Sequence, residues 1–184
     1  MELLLTQKTP KSVLRRQFLL LRDQIPLWRR REASKMAYQF LSKLLCGYSY
    51  VCSFMNKKDE IDLMSLNTML AEQNRLLLPK VLENSLQIYK INNLTDDIEM
   101  GIFSVLQPKK SCLPFLETIP CILVPGIAFD ARGYRLGSGF GFYDRLLQEH
   151  EIGISFGIGF LEQKTEEMLS IEGHDQKVSK VYYF

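Results

Sequence analysis

The segment from Cys121 to Arg145, CILVPGIAFDARGYRLGSGFGFYDR, constrains the fold more than any other stretch. It opens with the apolar run Cys121-Ile122-Leu123-Val124 between Pro120 and Pro125. A short apolar run between breakers predicts a buried strand. A turn-rich segment with Gly126, Asp130 and Gly133 follows, then Arg135-Leu136-Gly137-Ser138-Gly139-Phe140-Gly141 leads into an amphipathic helix from about Phe142. Strand, glycine-rich loop and helix N-terminus in that order form a phosphate site in many α/β proteins. Glycine lets the backbone turn sharply and present N–H groups to an anion. The helix start adds about half a positive charge. Arg135, two residues before the first glycine of the loop, has a fork that can grip a phosphate, and Arg145 adds a second cation. Asp144, three residues after the last glycine, can hold Mg²⁺ beside a phosphate. Read without a ligand, the same loop is a tight turn packing a helix onto a sheet, and Asp144 offsets the helix dipole.

The chain has 184 residues, which predicts one domain spanning 1–184 with a full-sized core. Lys plus Arg is 23 against 21 for Asp plus Glu, a balance that argues against a nucleic-acid partner. Arg29-Arg30-Arg31 reads as a solvated helix face. Cys46, Cys52, Cys112 and Cys121 match no zinc spacing and read as reduced, mostly buried thiols of a cytoplasmic protein. Leu3-Leu4-Leu5 is too short for a secretory h-region, and no uninterrupted apolar stretch is long enough to span a bilayer. A monomer acting on a small molecule, without membrane or nucleic acid, is expected.

Along the chain, Thr9 reads as an N-cap with Pro10 at the first helical position, and Val13, Leu14, Phe18, Leu21 and Ile25 recur at helical spacing. A second helix is predicted from Leu27 to Leu45, with Trp28, Met36, Phe40, Leu41 and Leu44 facing the core. Tyr48–Met55 reads as the first strand, and Glu60 as the start of a helix to about Gln73. Leu76-Leu77-Leu78 reads as a strand ending at Pro79, Leu86–Ile91 as another, Leu94–Gly101 as irregular, and Ile102–Leu106 as extended. After the glycine unit come a strand at Ile152–Phe160, a short helix at Thr165–Leu169 and a last strand at Val178–Phe184. Alternating strands and helices predict an α/β fold, a three-layer Rossmann-like sandwich with a mainly parallel central sheet and helices on both faces. Ligands of such sheets lie outside the carboxyl ends of the strands. That places the loop after Met55, the Gln107-Pro108 segment and the loop after Val124 at one edge, with Glu60 and Asp144 lining one crevice.

The block Arg132-Gly133-Tyr134-Arg135-Leu136-Gly137-Ser138-Gly139-Phe140-Gly141-Phe142-Tyr143-Asp144 resembles the R-G-x-R-L-G-x-G-x-G-(Y/F)-Y-D pattern of the 5-formyltetrahydrofolate cyclo-ligase family, also called methenyltetrahydrofolate synthetases. Lys11-Ser12-Val13-Leu14-Arg15 is similar to its K-x-x-L-R, Asp59-Glu60-Ile61-Asp62 to its D-E-I-(D/E)-T, and Leu78-Pro79-Lys80 to its L-P-(K/R). Val124-Pro125-Gly126-Ile127-Ala128-Phe129-Asp130 is similar to its V-P-G-(L/V)-A-F-D, and His174-Asp175 to an acidic position near its C-terminus. The order is kept over nearly the whole chain. The resemblance implies an enzyme converting 5-formyltetrahydrofolate and MgATP into 5,10-methenyltetrahydrofolate, ADP and phosphate. It also implies residue roles. Lys11, Ser12, Val13, Leu14 and Arg15, with Arg135 through Tyr143, would bind ATP. Arg15 and Arg135 would be catalytic, and Asp144 and Asp175 would hold Mg²⁺. Glu60 would take the pterin N–H groups, Met55 and Phe103 would pack on the folate, and Gly139, Phe140, Gly141 and Phe142 would lie between the two substrates.

Without the resemblance, Lys11 and Arg15, one helical turn apart, read as a solvated face. Glu60 reads as a helix N-terminal charge, Met55 and Phe103 as core, and Asp175 as a turn residue. The chain departs from the pattern at Phe140, where relatives usually carry Gly or Lys, at Phe142, which replaces a common Tyr, and at Leu63, which fills the Thr position. A non-catalytic folate-binding protein of the same fold is the alternative that Phe140 motivates.

Overall fold

The computed structural model describes residues 9–184, apart from the side chain of Phe103. Leu3, Leu4 and Leu5 lie outside the described residues. Helices α1 (Lys11–Asp23) and α2 (Leu27–Leu44) are followed by strand β1 (Val51–Cys52), α3 (Met64–Glu72) and the strands β2 (Leu76–Leu82) and β3 (Ser85–Ile91). A small hairpin of β4 (Ile98–Met100) and β5 (Leu106–Pro108) encloses a 3-10 turn at Ile102–Ser104. Then come β6 (Ile119–Pro125), the pair β7 (Ala128–Phe129) and β8 (Arg135–Leu136), α4 (Phe142–Glu149), β9 (Ile152–Gly159) and β10 (Lys180–Tyr183).

Six strands form one sheet in the order β10-β9-β6-β1-β2-β3, parallel except for the antiparallel β2–β3 edge. The side-chain period of two sorts each strand between two cores. Val51, Leu76, Leu78, Tyr89, Ile91, Cys121 and Leu123 meet Ala37 and Leu41 of α2 and Leu66 and Leu70 of α3. Cys52, Leu77, Ile88, Ile122 and Val124 meet Leu146 of α4 on the other face. The three-layer α/β reading therefore holds, with a mainly parallel sheet flanked by helices. α1 covers neither face. Its Leu14 packs on Ile127, Ala128, Leu136 and Leu169, across the loops beyond the strand ends. The α3 crossover carries β1 to β2 and the later chain enters β6 on the other side of β1, so the strand order reverses there. Such a reversal opens a crevice at the strand ends.

Several boundaries differ from the sequence reading, each for a local reason. Pro10 itself is the cap residue of α1, and the Thr9 N–H donates to Glu167 Oε1 (3.2 Å). α1 buries Leu14 and Arg22, Ile25 is buried just beyond its end, and Val13 and Leu21 are exposed. α2 buries Ala33, Ala37 and Leu41 and leaves Trp28, Met36 and Phe40 exposed; alanines let the helix lie close on the sheet. Glu60 is not helical, since α3 begins at Met64 after a loop held by side-chain bonds. β2 continues through Pro79 because its partner β3 pairs at every position from Leu76 to Leu82. Thr165–Leu169 forms no helix: Thr165 N–H bonds Phe129 O (3.0 Å), and Leu169 N–H bonds Asp130 Oδ2 (3.2 Å). Among the described residues no helix is long and apolar enough to cross a membrane.

Candidate active site

A cavity of about 190 Å³ lies outside the carboxyl ends of β1, β2 and β6. Phe54, Met55, Pro79, Val81, Leu86, Ile102, Val105, Leu106 and Ile127 give it apolar walls. Glu60 and Lys57 stand on one wall, and Arg135, Tyr143 and Asp144 belong to the glycine loop and α4. The three loops expected at this edge converge, and Glu60 and Asp144 both line the cavity.

The glycine loop is held open by charged side chains. Gly139 (φ +98°) and Gly141 (φ +65°) take left-handed backbone that a side chain would strain. Gly141 caps α4, so the first N–H groups of that helix have no intrahelical partner. Arg15 Nε donates to Gly137 O (2.8 Å), and its guanidinium lies beside Gly139. The Arg135 side chain, 4% exposed, pairs with Asp144 Oδ2 (2.8 Å) and donates to Gln176 O (3.2 Å). Asp144 Oδ1 accepts the Gln176 N–H (3.0 Å). Burial pulls the Arg135 pKa down despite Asp144. It also pushes the Tyr143 phenol well up, so that hydroxyl stays a donor. Next to Gln176, Asp175 Oδ2 accepts from Lys11 Nζ (2.6 Å) and from the Glu172 N–H (2.7 Å). Burial opposes both charges, but these bonds outweigh it: Asp175 is held below and Lys11 above its ordinary value. Lys11 and Arg15 thus share a face that meets the loops, and Leu14 between them is buried. Ser12 and Val13 are exposed.

On the opposite wall, Glu60 Oε2 accepts the Lys57 N–H (2.9 Å), and Oε1 faces Arg22 Nη1 at 3.7 Å. Burial raises the Glu60 pKa against both partners. Met55 is 8% exposed; its sulfur and Phe54 O take the Asn67 amide (3.5 and 3.1 Å). Phe103 sits in the 3-10 turn beside the cavity-lining Ile102, and its side chain lies outside the described part. Phe140 and Phe142 stack with centroids 5.7 Å apart, and both line the cavity. Arg145 covers the Phe142 ring at 5.4 Å and donates to Phe140 O (2.8 Å), so its charge braces the loop.

Among the described residues no three His, Cys, Asp or Glu side chains converge as a metal cage. Asp144 and Asp175 flank Gln176 with carboxylates already neutralised by Arg135 and Lys11. Mg²⁺ commonly takes one or two carboxylates together with substrate phosphates and water. The donor set fits an ion that arrives with phosphates, which would draw the two cations away, and does not fit a resident metal.

The 5-formyltetrahydrofolate cyclo-ligase family model matches residues 7–184. The chain belongs to this family. A 5-formyltetrahydrofolate cyclo-ligase of Mycolicibacterium smegmatis is 32% identical over 149 residues, 74% of each chain. A probable cyclo-ligase of Schizosaccharomyces pombe is 24% identical over 55% of this chain, a match that spans about half (52%) of that relative's length. Among solved structures, 5,10-methenyltetrahydrofolate synthetase of Aquifex aeolicus superposes with a TM-score of 0.75 at 29% identity, covering 93% of this chain and 88% of that one. The Mycoplasma pneumoniae synthetase, at 19% identity and a TM-score of 0.72, shares the fold over 94% of this chain.

Further side chains shape this cavity, and two of them, Arg22 and Gln163, carry no signal in the sequence. Arg22 lies off the apolar stripe of α1, yet it is 3% exposed and joins Asp59 to Gly126 O. The buried Gln163 amide donates to Gly126 O (2.6 Å) and Ile127 O (3.1 Å), fixing the turn after β6. Lys80, within the family-like Leu78-Pro79-Lys80, is buried and ties β2 to the hairpin through Glu99 (2.8 Å) and Pro108 O (2.6 Å). Asp130 accepts from Arg132, Tyr134 and Leu169 backbone N–H groups and anchors the turn before the glycine loop.

Proposed function

We propose that residues 1–184 act as one ATP- and Mg²⁺-dependent enzyme that cyclises 5-formyltetrahydrofolate to 5,10-methenyltetrahydrofolate, releasing ADP and phosphate. The observation that carries this reading is a cavity with Glu60 on one wall and the Arg135–Asp144 pair on the other, apolar between. A pterin presents N–H donors that suit a buried carboxylate acceptor such as Glu60. The apolar walls around Met55 suit the flat rings of a folate, and Arg15, Arg135, Lys11 and the N–H groups opening α4 suit a triphosphate. The family membership, together with the name borne by the Mycolicibacterium relative, supports the same activity.

The formamide oxygen is a poor leaving group. In the proposed reaction it takes the γ-phosphoryl group, breaking the bond to ADP. N10 then forms a bond to the formyl carbon and loses its proton, and the oxygen departs as phosphate. Mg²⁺ beside Asp144 and Asp175 would neutralise phosphate charge. The chain's own task is positioning and charge neutralisation. Arg135 exchanges Asp144 for the transferring phosphoryl, Arg15 holds the loop through Gly137 O, and Tyr143 stays a hydrogen-bond donor. Four free cysteines, two of them buried, fit a reducing cytoplasm, and a monomer suffices because both walls come from one chain. The test is ADP release: hydrolysis of ATP that depends on 5-formyltetrahydrofolate supports the reading, while folate binding without ADP release leaves only a folate-binding protein.

A further inference from the structure

We propose that Arg22 is a positioning residue for folate recognition, a buried tie that holds Glu60 toward the cavity and sets its distance from the Gly126 loop; this rests on the reading of Glu60 as the pterin partner. Arg22 belongs to the last turn of α1, outside the glycine loop and outside the Lys11–Arg15 face. A charge 3% exposed is costly unless it is fully partnered, so its bonds identify its task. Its Nε donates to Asp59 Oδ2 (2.8 Å), Nη1 reaches Gly126 O (3.4 Å), and the same Nη1 stands 3.7 Å from Glu60 Oε1. At 3.7 Å the Glu60 contact is electrostatic and not a hydrogen bond. Asp59 takes the direct bonds, which leaves Oε1 of Glu60 for a ligand while the cation still stabilises its charge. One guanidinium therefore joins α1, the loop after β1 and the turn after β6, and both of those connections line the cavity.

The groups facing Glu60 are Arg22 from α1, Lys57 and Asp59 from its own loop, and Tyr143 from α4. Burial already favours the protonated carboxyl. Removing Arg22 deletes a cation and leaves Asp59 as an uncompensated like charge. Glu60 would then hold its proton to higher pH, and a protonated carboxyl accepts pterin N–H groups less well.

The test is calorimetric titration of the full chain with 5-formyltetrahydrofolate between pH 6 and pH 8, with ATP titrated in parallel. Arg22→Gln should weaken folate binding about tenfold at pH 7, more at pH 6 and less at pH 8, with ATP affinity within about twofold of wild type. In a Glu60→Gln background the same change should cost less than about threefold, because the charge it supports is gone. Arg22→Lys should keep the wild-type pH profile with a smaller loss, and it carries the test if Arg22→Gln does not fold. Equal weakening of folate and ATP in either variant, or folate binding like wild type, overturns the proposal. A wild-type chain that binds no folate overturns the reading of the site itself, and a Glu60→Gln variant that binds folate like wild type overturns the pterin role of Glu60; both remove the ground for Arg22.

Discussion

Deleting the Asp144 carboxylate should destabilise the unliganded protein far more than loss of an exposed ion pair would. Its Oδ2 lies 2.8 Å from Arg135 Nη2, and the two side chains are 15% and 4% exposed. Asp144→Ala leaves Arg135 buried without its carboxylate, with the Gln176 carbonyl and the face of the Tyr143 ring as its remaining partners among the described residues, and removes the acceptor of the Gln176 N–H. Stranding one member of a buried pair costs roughly 3–5 kcal/mol, whereas an exposed pair is worth about 0–1 kcal/mol. For a chain of this size that corresponds to a fall in Tm of roughly 10 °C. Urea unfolding at pH 7 measures it, with an unchanged m-value as the control for two-state behaviour. The double variant Arg135→Met with Asp144→Leu should recover most of the loss, since apolar replacement of both partners is close to neutral. ATP without Mg²⁺ should stabilise Asp144→Ala more than wild type, because the phosphates meet an Arg135 that has no competing carboxylate. A loss for Asp144→Ala below about 1 kcal/mol would refute the assignment of a buried, mutually dependent pair.

Glu60→Gln should raise the stability of the unliganded protein while weakening folate binding. Burial raises the Glu60 pKa above its ordinary 4.5, so in that state the folded chain binds the proton more readily than the unfolded one. The ionised carboxyl therefore costs stability as pH rises from 4.5, and the cost levels off above the raised pKa. The Tm gain of Glu60→Gln should be absent below pH 4.5 and should grow as pH rises through the raised pKa; a gain that shrinks with rising pH would contradict the burial argument. Gly133→Ala should cost about 2 kcal/mol, read by urea unfolding, because its φ is +86° and a Cβ would stand 2.6 Å from Val178 O. Phe140→Gly should preserve or tighten ATP binding by calorimetry, since the phenyl brings no charge to a phosphate. A large loss would show that its stacking on Phe142 supports the nucleotide.

The strand, glycine loop and helix at Cys121–Arg145 are legible in the sequence because each part has its own local cause. The strand is an apolar run between prolines, the loop needs positive φ at Gly139 and Gly141, and α4 is amphipathic. Their meeting with the loop after β1 is legible from strand order alone. Buried polar ties are not legible, because nothing local distinguishes Arg22 from the exposed Arg16, and only tertiary closure over Asp59 and Gly126 buries it. α2 misleads for a related reason. Large apolar residues suggest the core face, but contact with the sheet selects Ala33 and Ala37, while Phe40 lies at the edge against the Tyr182 and Phe184 rings. The segment Asp59–Leu63 has the composition of a helix start, yet Arg22 and the Lys57 N–H capture the Asp59 and Glu60 carboxylates, and Asp62 alone accepts an N–H at the start of α3, from Met64.

The most direct measurement is the absorbance of the methenyl product on mixing the purified protein with 5-formyltetrahydrofolate, ATP and Mg²⁺. The account predicts a rise that requires all three and that disappears in Arg135→Ala. Absence of any rise at saturating folate and MgATP, in a protein shown by calorimetry to bind both, would contradict it.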